Sequence, residues 1–109
     1  MIKFGLKESS IEQIKQIFSR YPSINKVILY GSRAKGNYRQ GSDIDLTLIG
    51  ENISHDQLWE IATEIDDLLL PYMVDLSIFN DIDNPHLIDH INRIGVTFYG
   101  QNREKIGNE

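Results

Sequence analysis

Residues 43–49 read DIDLTLI, and this alternation constrains the fold more than any other stretch. In an extended chain successive side chains point to opposite faces. Ile44, Leu46 and Leu48 therefore line one side, and Asp43, Asp45 and Thr47 the other. The apolar side needs a covering layer, while the acidic side needs solvent or a ligand. A second β-rich run, KVILY at 26–30, ends at Gly31 and reads as a buried strand.

Helical signals alternate with these strands. Ser9 and Glu12 have capping-box spacing, and Ile11, Ile14, Phe18 and Tyr21 recur at helical intervals, predicting a helix over 10–20 stopped by Pro22. SRAK at 32–35 can form a short helical turn, and GNYRQGS at 36–42 reads as a loop. Ser54 and Gln57 form a second capping-box pair, opening a helix over 55–70 with the apolar stripe Leu58, Ile61, Ala62, Ile65 and Leu69. Pro71 breaks it. YMVDLSIF at 72–79 is a third strand, with Asp75 facing opposite to Val74, Leu76 and Ile78. Asn84 and Pro85 supply an N-cap and first helical residue for a helix through Leu87, Ile88, Ile91 and Ile94, capped by Gly95. VTFYG at 96–100 is the last strand. The predicted order implies an α/β (α+β) layer fold, with about four strands and helices packed on one side. Periodicity leaves the pairing directions open. Residues 1–100 form the expected single domain, and 101–109 a polar tail.

Eleven basic against sixteen acidic residues give a net charge of −5, which argues against nucleic-acid binding by bulk charge. Any phosphate handling must come from a local site. The chain has no cysteine, so disulfides and thiolate metal sites are excluded. No apolar run approaches membrane-spanning length, and MIKFGLKESS has no apolar leader core. A cytoplasmic location without a membrane partner is expected.

The chemistry concentrates in GSRAKGNYRQGSDID at 31–45. Residues i and i+2 of a strand share a face about 6.6–6.8 Å apart, so Asp43 and Asp45 can converge on one cation or bracket two. Without a cation they repel by about 0.6–2.5 kcal/mol, depending on the effective dielectric, and aspartate is a poor strand former. Magnesium prefers a few carboxylates completed by water and substrate phosphates. Gly31 ends a strand and Ser32 starts a turn, so backbone amides and a hydroxyl can meet an anion there. Arg33, Lys35 and Arg39 make a local cationic edge. Asp75, a lone acid in an apolar strand, joins the aspartate pair if the two strands are neighbours. Three carboxylates around two ions, one able to take a proton from an attacking hydroxyl, would form a phosphoryl-transfer centre.

Gly31-Ser32, ten intervening residues, then Asp43-Ile44-Asp45, with Asp75 on a later strand, resembles the polymerase-β-type nucleotidyltransferases. Chain length and the wording GSRAKG…SDIDL most resemble the minimal nucleotidyltransferases, the MNT domain. The resemblance implies a polymerase-β-like palm with a mixed sheet, two Mg²⁺ ions, and transfer of a nucleoside monophosphate, AMP from ATP being the expected case. It implies that Gly31 and Ser32 hold phosphates, with Arg33 and Lys35 beside them. Asp43 and Asp45 would carry the metals, and Asp75 would complete the catalytic metal site. It further implies a HEPN-domain partner in a toxin–antitoxin module, hence a hetero-oligomer in which this chain is the antitoxin that adenylylates a hydroxyl of the HEPN ribonuclease. Two other readings stand beside it: an antitoxin that neutralises its partner by binding alone, and transfer to a small-molecule acceptor.

Three further features carry weaker expectations. His86 and His90 are four apart on a helix but off its apolar face, and a solvated face is the simpler reading. Trp59 is expected in peripheral packing, with a partner contact as the alternative. Tyr38 is either a base-stacking ring or an ordinary loop tyrosine.

Overall fold

The structure, a computed structural model, describes residues 2–100. The expected polar tail at 101–109 lies outside them. Two short strands, β1 (Ile2–Lys3) and β2 (Leu6–Lys7), open the chain as an antiparallel hairpin. Then follow α1 (Glu8–Ser19), β3 (Ile24–Tyr30), α2 (Ser32–Lys35), β4 (Ile44–Gly50), α3 (His55–Asp66), β5 (Val74–Ile78), α4 (Pro85–Ile94) and β6 (Val96–Gly100). The hairpin was not foreseen. Its Leu6 is fully buried, and Phe4 takes a positive φ between the strands.

Strands β5-β4-β3-β6 lie side by side in one mixed sheet. β3 is antiparallel to both β4 and β6, whereas β4 and β5 run parallel, with Asp45 opposite Asp75. The parallel pair is joined through α3, as a same-direction connection requires. Val27, Leu29, Ile44, Leu46 and Leu48 project to one face, where Ile11, Ile14, Ile17 and Phe18 of α1 and Ile61 and Ile65 of α3 cover them. The alternation read in DIDLTLI is thus the boundary between core and site.

The expectation of helices on one side holds for α1 and α3. α4 lies on the opposite face, because Ile28 and Tyr30 alternate with the core residues of β3 and meet α4. The Tyr30 ring stands edge-on to His90 at 6.2 Å. A Cβ built on Gly95, just past α4, would come within 2.5 Å of Ile28 Cγ2. α4 therefore shields only the β3 side of this second face, leaving the aspartates of β4 and β5 beside it.

The caps explain the helix boundaries. Ser54 accepts the Gln57 N–H at 3.1 Å, and Asn84 accepts those of His86 and Leu87, as their spacing predicts. At α1 the expected Ser9 cap is absent: the helix starts at Glu8, and Lys7 precedes it in extended conformation with no side-chain cap. α3 ends at Asp66, short of the expected 70, and Leu69 adopts a φ of +56°. Trp59, expected in peripheral packing, is 76% exposed.

Candidate active site

β4 and β5 set the carboxylates. As register partners on neighbouring parallel strands, Asp45 and Asp75 have backbones about 5 Å apart and point to the same face. Asp43 precedes Asp45 by two residues, at the mouth of β4. Asp45 is half-buried, while Asp43 and Asp75 are exposed. Burial pushes the Asp45 carboxyl above its usual range, and the charges of Asp75 and Asp43 push it further; nearby His90 acts in the opposite direction. Asp43 and Asp75 thus act electrostatically on the Asp45 carboxyl.

Beneath them lies a polar floor. Thr47 is fully buried on the site face, and its hydroxyl accepts from the Ser77 hydroxyl at 2.9 Å. Tyr30, opposite Asp45 in the β3–β4 ladder, has its hydroxyl pushed up by burial; a hydrogen bond with Ser77 opposes this, and the charges of Asp45 and Asp75 add to it. Neither Tyr30 nor Ser77 carries a local sequence signal, because their roles follow from strand neighbours.

The turn after β3 closes the site. Gly31 has φ +77° and ψ −158°, a region open in practice only to glycine. A Cβ there would fall 2.3 Å from Asp45 Oδ2, so the turn rests directly against the carboxylate. Its N–H donates to His90 Nε2 at 3.2 Å. Ser32 then begins α2, closed by Gly36 in the left-handed region. His90, expected on a solvated face, is instead a part of the site. It meets Gly31 across 59 residues, a separation at which sequence periodicity carries no information.

Two of the expected phosphate-binding residues part company. Lys35 is exposed at the end of α2. Arg33 is not available to an anion: it is 2% exposed. Its guanidinium donates to the carbonyls of Phe4 at 2.8 Å, Ser42 at 2.8 and 3.1 Å, and Gln40 at 3.4 Å. It also lies 5.3 Å from the Tyr38 ring centroid and 5.0 Å from that of Tyr72. Arg33 thus fastens the 36–43 loop to the N-terminal hairpin, satisfying backbone carbonyls that loop and hairpin leave unpaired. Tyr38, considered above as a base-stacking ring, packs on this guanidinium instead.

Asp43, Asp45 and Asp75 form an open acidic face. Among the described residues no group of three or more His, Cys, Asp or Glu side chains is gathered closely enough to hold a metal ion by itself. An open face suits magnesium, which takes few carboxylates and fills its octahedron with water and substrate oxygens. The donor set is all oxygen, matching a hard cation rather than zinc or copper.

Residues 12–104 match the family model described as Polymerase beta, Nucleotidyltransferase. The chain belongs to this nucleotidyltransferase family. It is 36% identical over 70 residues to the Methanocaldococcus jannaschii protein named "Putative protein adenylyltransferase MJ0604". That match spans 62% of this chain and 66% of the relative, just under two thirds of its length. Among solved structures, a toxin–antitoxin complex with AMP-PNP superposes with a TM-score of 0.67 at 22% identity, covering 91% of this chain and 77% of the other. A Shewanella oneidensis complex of MNT antitoxin with tri-AMPylated HEPN toxin gives 0.64 at 18% identity, over 90% and 76% of the two chains. At these identities the superpositions establish the shared fold. No described helix is long and apolar enough to cross a membrane.

Proposed function

We propose that this chain is a Mg²⁺-dependent nucleotidyltransferase that moves AMP from ATP to a hydroxyl of a partner protein, and that the partner is a HEPN-domain toxin. The observation that carries the reading is the Asp45–Asp75 register pair with Gly31 packed against Asp45. This arrangement places an acidic face and a tight backbone turn within one ligand's length. The names borne by its relatives, a protein adenylyltransferase and an MNT antitoxin beside an AMPylated HEPN toxin, favour a protein acceptor. The neighbour solved with AMP-PNP favours an adenine nucleotide.

In this reading Asp43, Asp45 and Asp75 would hold Mg²⁺, which when bound would supply charge neutralisation for the phosphates. The Ser32 hydroxyl and amide orient the triphosphate, and exposed Lys35 offers a positive charge nearby. The acceptor oxygen bonds to the α-phosphorus as the bond to the β-phosphate bridge breaks, releasing pyrophosphate. Asp75, the exposed member of the pair, takes the hydroxyl proton. The remaining contribution is positioning and charge compensation.

The test is intact-mass spectrometry of a HEPN-domain protein that co-purifies with this chain, after incubation with ATP and MgCl₂. The expected result is one AMP mass per modified hydroxyl with wild type and none with the Asp43→Ala/Asp45→Ala double variant. Unmodified partner with wild type, or modification that survives the double variant, would refute the proposal. A double variant that still neutralises the partner would instead favour binding alone.

A further inference from the structure

We propose that His90 is a positioning residue for the phosphate-binding turn, its Nε2 holding the Gly31 amide so that turn and Asp45 carboxylate keep one fixed relation. For its catalytic consequence this rests on the nucleotidyl-transfer reading above; the local geometry does not depend on it.

Gly31 occupies a region of backbone space that persists only when its surroundings over-determine it, and three contacts do so here. The β3–β4 ladder pairs the preceding Tyr30 with Asp45. The Gly31 carbonyl accepts the Lys35 N–H at 3.0 Å, closing α2. The Gly31 N–H would otherwise face the site without a protein partner, and it donates to His90 at 3.2 Å. Accepting at Nε2, a neutral ring carries its proton on Nδ1.

His90 is itself well supported. It sits on α4, whose first turn is capped by Asn84 and whose neighbouring Ile91 is buried. The edge-on contact with Tyr30 fixes the ring plane. Because Gly31 leaves no room for even a methyl group beside Asp45 Oδ2, a displaced turn either collides with the carboxylate or opens a gap beside it. His90 thereby ties a helix of the second sheet face to the geometry of the metal-binding acids. Since it occupies the Gly31 amide, the Ser32 amide and hydroxyl remain as the turn's donors to phosphate.

Three variants separate this role from ordinary packing. His90→Gln places an acceptor oxygen near the Nε2 position, His90→Leu fills the space without an acceptor, and His90→Ala does neither. Hydrogen exchange at the Gly31 amide, followed by NMR in the nucleotide-free protein, is expected to be slow in wild type and His90→Gln. In the Leu and Ala variants it should be faster by about 2–13-fold, the loss of one ordinary hydrogen bond. In the transfer assay, His90→Leu and His90→Ala should raise the KM for ATP by a similar factor and leave the KM for the protein acceptor unchanged, with His90→Gln close to wild type. Equal exchange in all four proteins, or a Leu variant as good as Gln, would overturn the proposal. If wild-type protein neither binds AMP-PNP nor transfers AMP, the nucleotidyl-transfer reading fails, and Gly31 exchange alone decides whether His90 holds the turn.

Discussion

Replacing Gly31 by alanine separates the cost to the fold from the cost to the site, because Gly36 provides a matched control. Both glycines have positive φ, +77° at Gly31 and +92° at Gly36. Strain at such positions is about 1–3 kcal/mol for a residue with a Cβ, and Gly31, with its ψ near −158°, belongs at the upper end. The surroundings differ completely. Around a Cβ on Gly36 nothing lies within 4 Å, whereas on Gly31 it would meet Asp45 Oδ2 at 2.3 Å. Since the atom met is the tip of a side chain, the fold can relieve the collision by turning the carboxylate. The clash therefore adds little to instability and falls on the site. Gly36→Ala should lose about 1 kcal/mol, or roughly 4–8 °C in Tm, with transfer activity retained. Gly31→Ala should lose about 2–3 kcal/mol and also about 10²-fold in kcat/KM, the scale of a 1 Å misplacement of a reacting group. Urea denaturation and the AMP-transfer assay measure the two effects side by side. Equal activity loss in both variants would refute the argument, as would full activity in Gly31→Ala.

Other expectations follow from single contacts. Arg33→Ala should destabilise by at least about 3 kcal/mol, since charged hydrogen bonds contribute about 1.5–3 kcal/mol each. Arg33→Lys should recover only part of this, lacking the planar fork; a variant of native Tm with only a raised KM for ATP would return Arg33 to a phosphate-binding role. The folded-state carboxyl of Asp45 is raised by burial and by Asp75 and Asp43, so the folded metal-free protein holds a proton that the unfolded chain releases. Stability should fall as pH rises from the ordinary aspartate range through the raised value. Asp45→Asn should abolish that slope and raise the metal-free Tm; an unchanged slope in denaturation at several pH values contradicts the assignment. The Tyr21 hydroxyl, desolvated and donating to Glu64, is pushed up to about 12. Stability should thus decline as pH rises from about 10 towards 12, and ultraviolet titration should find Tyr21 and Tyr30 ionising after the exposed tyrosines.

Local pattern carried a large part of this structure, and the reason differs by element. The β4 alternation was legible because one face is core and the other is site. The Ser54 and Asn84 caps were legible because their chemistry acts over three residues. Asp45 and Asp75 could be paired only conditionally, since two strands thirty residues apart do not announce their register. Arg33 misled because a cation beside a phosphate-like turn and a cation clamping a loop have the same local sequence; only the carbonyls of Phe4 and Ser42 distinguish them. His90 was hidden for the converse reason. Its neighbours on α4 describe a half-exposed helix side, while its partner is an amide at the far end of β3.

The most direct test of the central claim, that Asp43, Asp45 and Asp75 form a metal-dependent triphosphate site against the Gly31–Ser32 turn, is calorimetric titration with AMP-PNP. With MgCl₂ the wild type should bind, and chelation by EDTA or the single change Asp45→Asn or Asp75→Asn should weaken binding by at least about tenfold. Equal affinity with and without the metal, or in the aspartate variants, would contradict the account.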